Sequence, residues 1–159
     1  MKVVLINHSD SLGGASVVTY RLLKALQAQG IEARMLVVHK ATDDPSVVVA
    51  APHWRARLQF YIEAARIFVA NGHDRGDLFK VSLGSDGLPL SRHPLVREAD
   101  AVLLAWVNQG MLSLKEIGRI AAAKPVIWTM HDMWNLTALC HHAGECDKYA
   151  EPSGCRQCP

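Results

Sequence analysis

Lys124–Trp134 reads KPVIWTMHDMW. A proline opens the stretch, five apolar or β-favouring residues run from Val126 to Met130, and the run breaks abruptly at His131-Asp132. Val, Ile, Trp and Thr in one short unbroken run predict a strand buried on both faces, as in a parallel sheet covered by helices. Polar residues just past the carboxyl end of such a strand point into the crevice where open α/β sheets bind ligands. His131 and Asp132 are therefore the candidate site, and the rest of the chain is read for strands that would flank them.

Lys2–Asn7 (KVVLIN) predicts a first buried strand, closed by the polar turn His8–Ser11 and then Leu12-Gly13-Gly14-Ala15-Ser16. An amphipathic helix follows over roughly 15–29, with Val18, Leu22, Leu23, Ala25 and Leu26 inward and Gly30 as its stop. Strand, glycine turn and helix open a βαβ unit, and such glycines let backbone N–H groups approach a phosphate at the positive end of the helix. A tight turn with glycine at a positive φ accounts for the same residues equally well. Ile31–Val38 predicts the second strand and Ser46–Ala51 a short third. His53–Ala70 predicts a second helix with Trp54, Leu58, Tyr61, Ile62, Ala65, Phe68 and Val69 on one stripe. Its other face carries Arg55, Arg57 and Arg66 around Glu63, a pattern that suits either solvent or an anionic membrane.

The segment 72–92 is irregular and rich in Gly, Asp and Ser, and loops of that length are often functional. A short helix over Pro94–Ala99, a strand over Asp100–Val107 and a helix over Leu114–Ala123 complete the alternation. That last helix is capped by Ser113, with Leu114, Ile117 and Ile120 inward. Strands and helices alternating throughout predict a doubly wound, mostly parallel Rossmann-like α/β sheet.

At 159 residues the chain is long enough for one domain with a substantial core. Half the residues are hydrophobic and 20% are charged, which is ordinary globular composition. A net charge of +2 gives no case for nucleic acid as a partner. The apolar runs are too short to span a bilayer, and no cleavage pattern follows Met1-Lys2, so a cytoplasmic location is expected. Three polar turns, at 8–14, 106–109 and 131–134, follow three predicted parallel strands and are expected to converge on one site. A neutral histidine there suits general-base or hydroxyl-orienting work, while a plain helix cap explains His131-Asp132 as well.

The order of these motifs resembles the N-terminal halves of GT-B glycosyltransferases of family 4, and one bacterial branch in particular. The resemblance rests on Asn7 with Gly13-Gly14-Ala15, on Ala99–Leu114 (ADAVLLAWVNQGMLSL), on Lys124–Cys140 (KPVIWTMHDMWNLTALC), and on Cys146 with Cys155-Arg156-Gln157-Cys158-Pro159. It departs from the branch at Ala105, where His is frequent, and at Ala138-Leu139, where Thr-Gly-Gly is usual. The resemblance implies transfer of a sugar from a nucleotide-sugar donor to a sugar or lipid-linked acceptor in bacterial polysaccharide or glycan synthesis. Configuration would be retained, and no divalent metal or other catalytic cofactor used. It implies that Gly13 and Gly14 lie near the donor phosphates and His131 beside the transferred sugar, with Asp132 and Asn108 as neighbours. It also implies that residues 1–139 form the acceptor-side domain, with 140–159 as its cysteine-rich tail. The donor-binding C-terminal domain would then be missing from this chain, which alone would be inactive. The membrane partner expected for such an enzyme is a peripheral contact at the inner face of the plasma membrane.

All four cysteines fall in that tail, as Cys140, Cys146, Cys155 and Cys158 in the spacing C-x5-C-x8-C-x2-C. The closing C-x2-C suits half of a zinc site, whereas C-x5-C is longer than usual. In a cytosolic chain such clustering favours a structural zinc over two disulfides or free thiols. The rival to the enzyme is therefore a non-catalytic, zinc-containing α/β module that binds a sugar, nucleotide or protein. The two differ in what the gene encodes beyond Pro159: a second Rossmann-like domain for the enzyme, a stop codon for the module. An NAD-binding domain fits less well, because Glu32 is the nearest acid to the position of the usual ribose ligand.

Overall fold

The computed structural model describes residues 1–76 and 78–155. Five strands, β1 (Lys2–Ser9), β2 (Glu32–His39), β3 (Val47–Val49), β4 (Ala101–Leu104) and β5 (Val126–Trp128), form one sheet in the order β3-β2-β1-β4-β5. Every pairing is parallel, with Leu5 opposite Met35 on one side and Leu103 on the other. The helices are α1 (Gly13–Ala28), α2 (His53–Ala70), α3 (Pro94–Glu98) and α4 (Leu114–Ala123). This is the predicted doubly wound, Rossmann-like α/β fold.

The sheet buries both faces because its central strands are apolar at successive positions. Val3, Leu5, Met35, Val37 and Leu103 pack under Leu23 of α1. Val4, Ile6, Leu36, Val102 and Leu104 face the opposite layer, with Ala56 of α2, Val96 of α3 and Ile117 and Ile120 of α4. None of the helices is long and apolar enough to cross a membrane, among the described residues.

Four expectations change in the folded chain. The β5 strand is an edge strand with β4 as its one neighbour, so Ile127 is 62% exposed and only part of the run is covered. Helix α1 seats Ser16, Thr19 and Leu23 on the sheet and leaves Val18 half exposed. Its rotation is set by polar contacts: the Asn7 amide donates to Ser16 Oγ at 3.0 Å, and the Ser16 and Thr19 hydroxyls bond back to Leu12 and Ala15 carbonyls. In α4 Leu114 is exposed and Glu116 is buried instead, where it accepts the Ser91 N–H at 2.8 Å and pairs with Arg119 at 2.9 Å.

The fourth and largest change is in α2. Its buried residues are Ala56, Glu63 and Ile67, and the apolar stripe through Trp54, Leu58, Tyr61 and Val69 faces outward. Glu63 is drawn in because one carboxylate oxygen accepts the N–H groups of Leu83 and Gly84, at 2.9 and 3.1 Å. Close approach is possible because Gly110 lies against α2: a Cβ there would meet the Gln59 backbone at 2.7 Å. A small residue and a tethered acid therefore face the core, and the bulk is turned away.

Candidate functional site

In an open sheet of this order the chain leaves β1 and β4 toward opposite layers, and the crevice between their carboxyl ends is the natural ligand site. A cleft of about 870 Å³ opens there. Gly13 and Gly14 form one wall, Trp106 another, and His131 and Asp132 a third. The three turns expected to converge do so, since β1, β4 and β5 are neighbours in the sheet.

The glycine wall is the N-terminus of α1. Gly13 has φ +81°, a left-handed conformation that suits glycine, and a Cβ at Gly13 or Gly14 would meet nothing within 4 Å. The open side is the cleft itself. No side chain caps the helix: the Ser9 hydroxyl accepts the N–H groups of Ser11 and Leu12, at 3.2 Å each, one turn too early. The first N–H groups of a 16-residue helix thus face the cleft, and the helix dipole adds positive potential there.

His131 and Asp132 play different parts. Asp132 is nearly buried and its carboxylate is taken up. Oδ2 accepts the Trp106 indole N–H at 2.8 Å and the Asn108 amide at 3.2 Å, while Oδ1 accepts the Trp134 N–H at 3.0 Å. No helix starts here, so Asp132 caps a turn and anchors the indole that walls the cleft. His131 Nε2, in contrast, is buried without a hydrogen-bond partner while its residue lines the cleft. A buried nitrogen with no partner is rare in a folded protein and sets His131 apart from the other residues of the wall. Asn108 does not line the cleft; it is buried below, between Asp132 and His141.

The first strand, the loop 78–89 and the start of the tail add side chains to which the sequence reading gave no individual role. His8 packs edge-on against Trp106, 5.3 Å between centroids, and its Nδ1 is also buried without a partner. Burial first, then the neighbouring His39, lowers the His8 pKa to about 4, so its ring is neutral. His141 is buried with Nε2 2.9 Å from Ser82 Oγ and Nδ1 3.8 Å from Asp132, and burial lowers its pKa too. Lys80 and Phe79 come in from the long irregular segment and His142 from the start of the tail. The length of that segment was the one signal for them. Among the described lining residues Asp132 is the single acid and Lys80 the single lysine.

The tail meets this loop through an antiparallel bridge between Val81 and Cys140. Cys146 and Cys155 are free thiols, and Cys158 lies outside the described residues. Among the described residues no three His, Cys, Asp or Glu side chains gather as a metal-ligand group. Cys158, the last of the four cysteines, is not among those residues.

Comparison with models of known families, with curated proteins and with solved structures finds no significant match to this chain. The functional reading rests on the cleft.

Proposed function

We propose that this chain is the acceptor-side, N-terminal half of a retaining GT-B glycosyltransferase, acting on a nucleotide-sugar donor and a sugar or lipid-linked acceptor in bacterial glycan synthesis. One observation carries the reading: an uncapped, glycine-opened helix N-terminus and His131, whose Nε2 has no hydrogen-bond partner, line one cleft at the sheet's switch point. The two features suit the two ends of a nucleotide-sugar. A departing diphosphate needs amide donors fixed in advance, and the turn at Gly13-Gly14 offers them without reorganisation. His131, in the opposite wall, suits orienting the reacting sugar and acceptor hydroxyl. During transfer the C1–O bond to the diphosphate breaks, a bond from the acceptor oxygen to C1 forms on the same face, and the acceptor's hydroxyl proton passes to the departing diphosphate oxygen. Trp106, clamped by Asp132, keeps one wall apolar and rigid. The donor-binding acids belong to a second Rossmann-like half that closes over this cleft.

The test is titration of the isotope-labelled chain with nucleoside diphosphates and a panel of nucleotide-sugars, followed by amide and imidazole resonances. Shifts confined to Gly13, Gly14, Ala15 and His131, at millimolar ligand, are expected. If no member of the panel perturbs those residues, the proposal is overturned. Binding here without transfer by a two-half enzyme would instead make the chain a binding module.

A further inference from the structure

A second cavity, of about 330 Å³, adjoins the main cleft at the carboxyl ends of β1 and β2. His8 lines both. A row of rings leads from one to the other: Trp106 to His8 at 5.3 Å between centroids, His8 to His39 at 5.2 Å, and His39 to His53 at 6.2 Å. The far wall is the start of α2, where His53, Arg57 and Tyr61 recur at four-residue spacing and so share one face of the helix. Ligand pockets run from roughly 300 to 1,000 Å³, so this one is sized for a small occupant.

Two features say what kind. The first is charge. Arg57 is the one arginine or lysine among the described lining residues, and no aspartate or glutamate is among them. Arg57 donates to the Tyr61 hydroxyl at 3.2 Å and has no carboxylate within ion-pair distance among the described residues. Most of its guanidinium fork is therefore left for a ligand. A single permanent cation beside a neutral His8 suits a monoanion such as a carboxylate better than a phosphate dianion. The second feature is the backbone of Gln109, which lines the cavity at φ +56°, a left-handed conformation uncommon outside glycine. The Gln109 N–H donates to Ser82 Oγ at 3.3 Å, and Gly110 stands against the backbone of α2, so the turn is held in place from both sides. Backbone strain kept at a cavity wall fixes the side chain it carries, here an amide able both to donate to and to accept from a hydroxyl.

We infer that the second cavity is a subsite for an acidic sugar, with the carboxylate on Arg57 and the ring hydroxyls on Gln109, His39 and His53. An imidazole offers an N–H donor in either charge state, and Phe60 and Tyr61 supply apolar ring faces for the sugar's C–H side. The inference rests on the sugar-transfer reading in one respect: the acidic sugar is then part of the acceptor, reaching the main cleft from the α2 side past His8.

The experiment is titration of the isotope-labelled chain with D-glucuronate, D-glucose and D-glucose 6-phosphate at millimolar concentration. Glucuronate should shift the Gln109 side-chain amide and the His39 and His53 imidazoles, and glucose should bind about tenfold more weakly or less. R57Q should weaken glucuronate binding by about tenfold or more, as loss of a charge-assisted pair does. Arg57 is exposed, so the thermal midpoint of that variant should match the parent. Gln109→Gly relieves the left-handed strain, so its midpoint should hold or rise while glucuronate binding weakens, a combination that a merely structural glutamine would not give. No response to glucuronate, an equal response to glucose, or parental binding by R57Q overturns the inference. Tighter binding of glucose 6-phosphate overturns it in favour of a phosphate. Gly13, Gly14 and His131 report the main cleft separately, so a chain that answers to glucuronate here and to no nucleotide-sugar there keeps this subsite and loses the transfer reading.

Discussion

His131 and Asp132 are adjacent in sequence and opposite in hydrogen bonding, and variants should separate them. His131 leaves a ring nitrogen unpartnered beside the cleft, so His131→Ala is expected to cost little stability, under about 1 kcal/mol. In the two-half enzyme the same change should lower transfer by about a hundredfold or more, as loss of a positioned base or hydrogen-bond acceptor does. Asp132→Ala strands the Trp106 indole, the Asn108 amide and the Trp134 N–H, and should cost about 2–4 kcal/mol in urea denaturation. A stable, inactive Asp132→Ala, or an unstable His131→Ala, would exchange these roles. His8 sets a pH dependence. Its pKa falls from 6.5 in the unfolded chain to about 4 in the folded one, through burial and the charge of His39. Between those values the unfolded state binds the extra proton, so stability is full above about pH 6.5 and is lost as pH falls toward 4. The loss from this group is on the order of 3 kcal/mol, and His8→Asn should flatten that limb of the stability–pH curve.

Among the elements, α2 depends on two contacts that no helix periodicity reveals. Gly110 has φ +74° and stands against the helix backbone. Gly110→Ala combines left-handed strain with a clash at 2.7 Å from Gln59, and is expected to cost about 3 kcal/mol. For a domain of this size that lowers the thermal midpoint by roughly 6–12 °C, measurable by calorimetry. Glu63 tethers the 78–89 loop to the same helix, so disturbing α2 also shifts Lys80 and Phe79 at the cleft. The tail is the other element with a measurable property. The four-cysteine spacing expects about one zinc per purified chain, with loosening of 140–155 on chelation. Metal analysis checks it, and a metal-free protein whose thiols all react with a thiol reagent is the contrary result.

For the molecule as a whole, the cleft has three walls and an open front. Transfer needs a water-excluded site, and preorganised donors are worth most where solvent is absent. The 159-residue chain alone is therefore expected to bind nucleotide-sugars weakly and to transfer none. Joining it to a donor-binding Rossmann-like half should restore turnover. Incubation with nucleotide-sugars and simple acceptors, with product followed by mass spectrometry, tests both statements, and robust turnover by this chain alone would end the two-half reading.

What the sequence determined by itself was the order of elements and the ends of three strands. Short apolar runs alternating with helical stripes leave one economical architecture, and polar residues after each run must collect at one edge of a parallel sheet. KVVLIN, the Gly13-Gly14 turn and KPVIWTMHD therefore located the cleft. Only the tertiary structure decided how each helix is rotated, which neighbour takes up each polar atom, and that β5 lies at the sheet edge. Periodicity finds an apolar stripe but not what covers it. In α2 the core side was settled by a buried carboxylate with two distant N–H partners and by a glycine more than 40 residues along the chain. The same is true of Asp132 and His131, identical in exposure to any sequence pattern. The indole of Trp106 and the amide of Asn108 reach the first and leave Nε2 of the second without a partner, because contacts at long sequence separation exist only once the sheet has brought β4 beside β5.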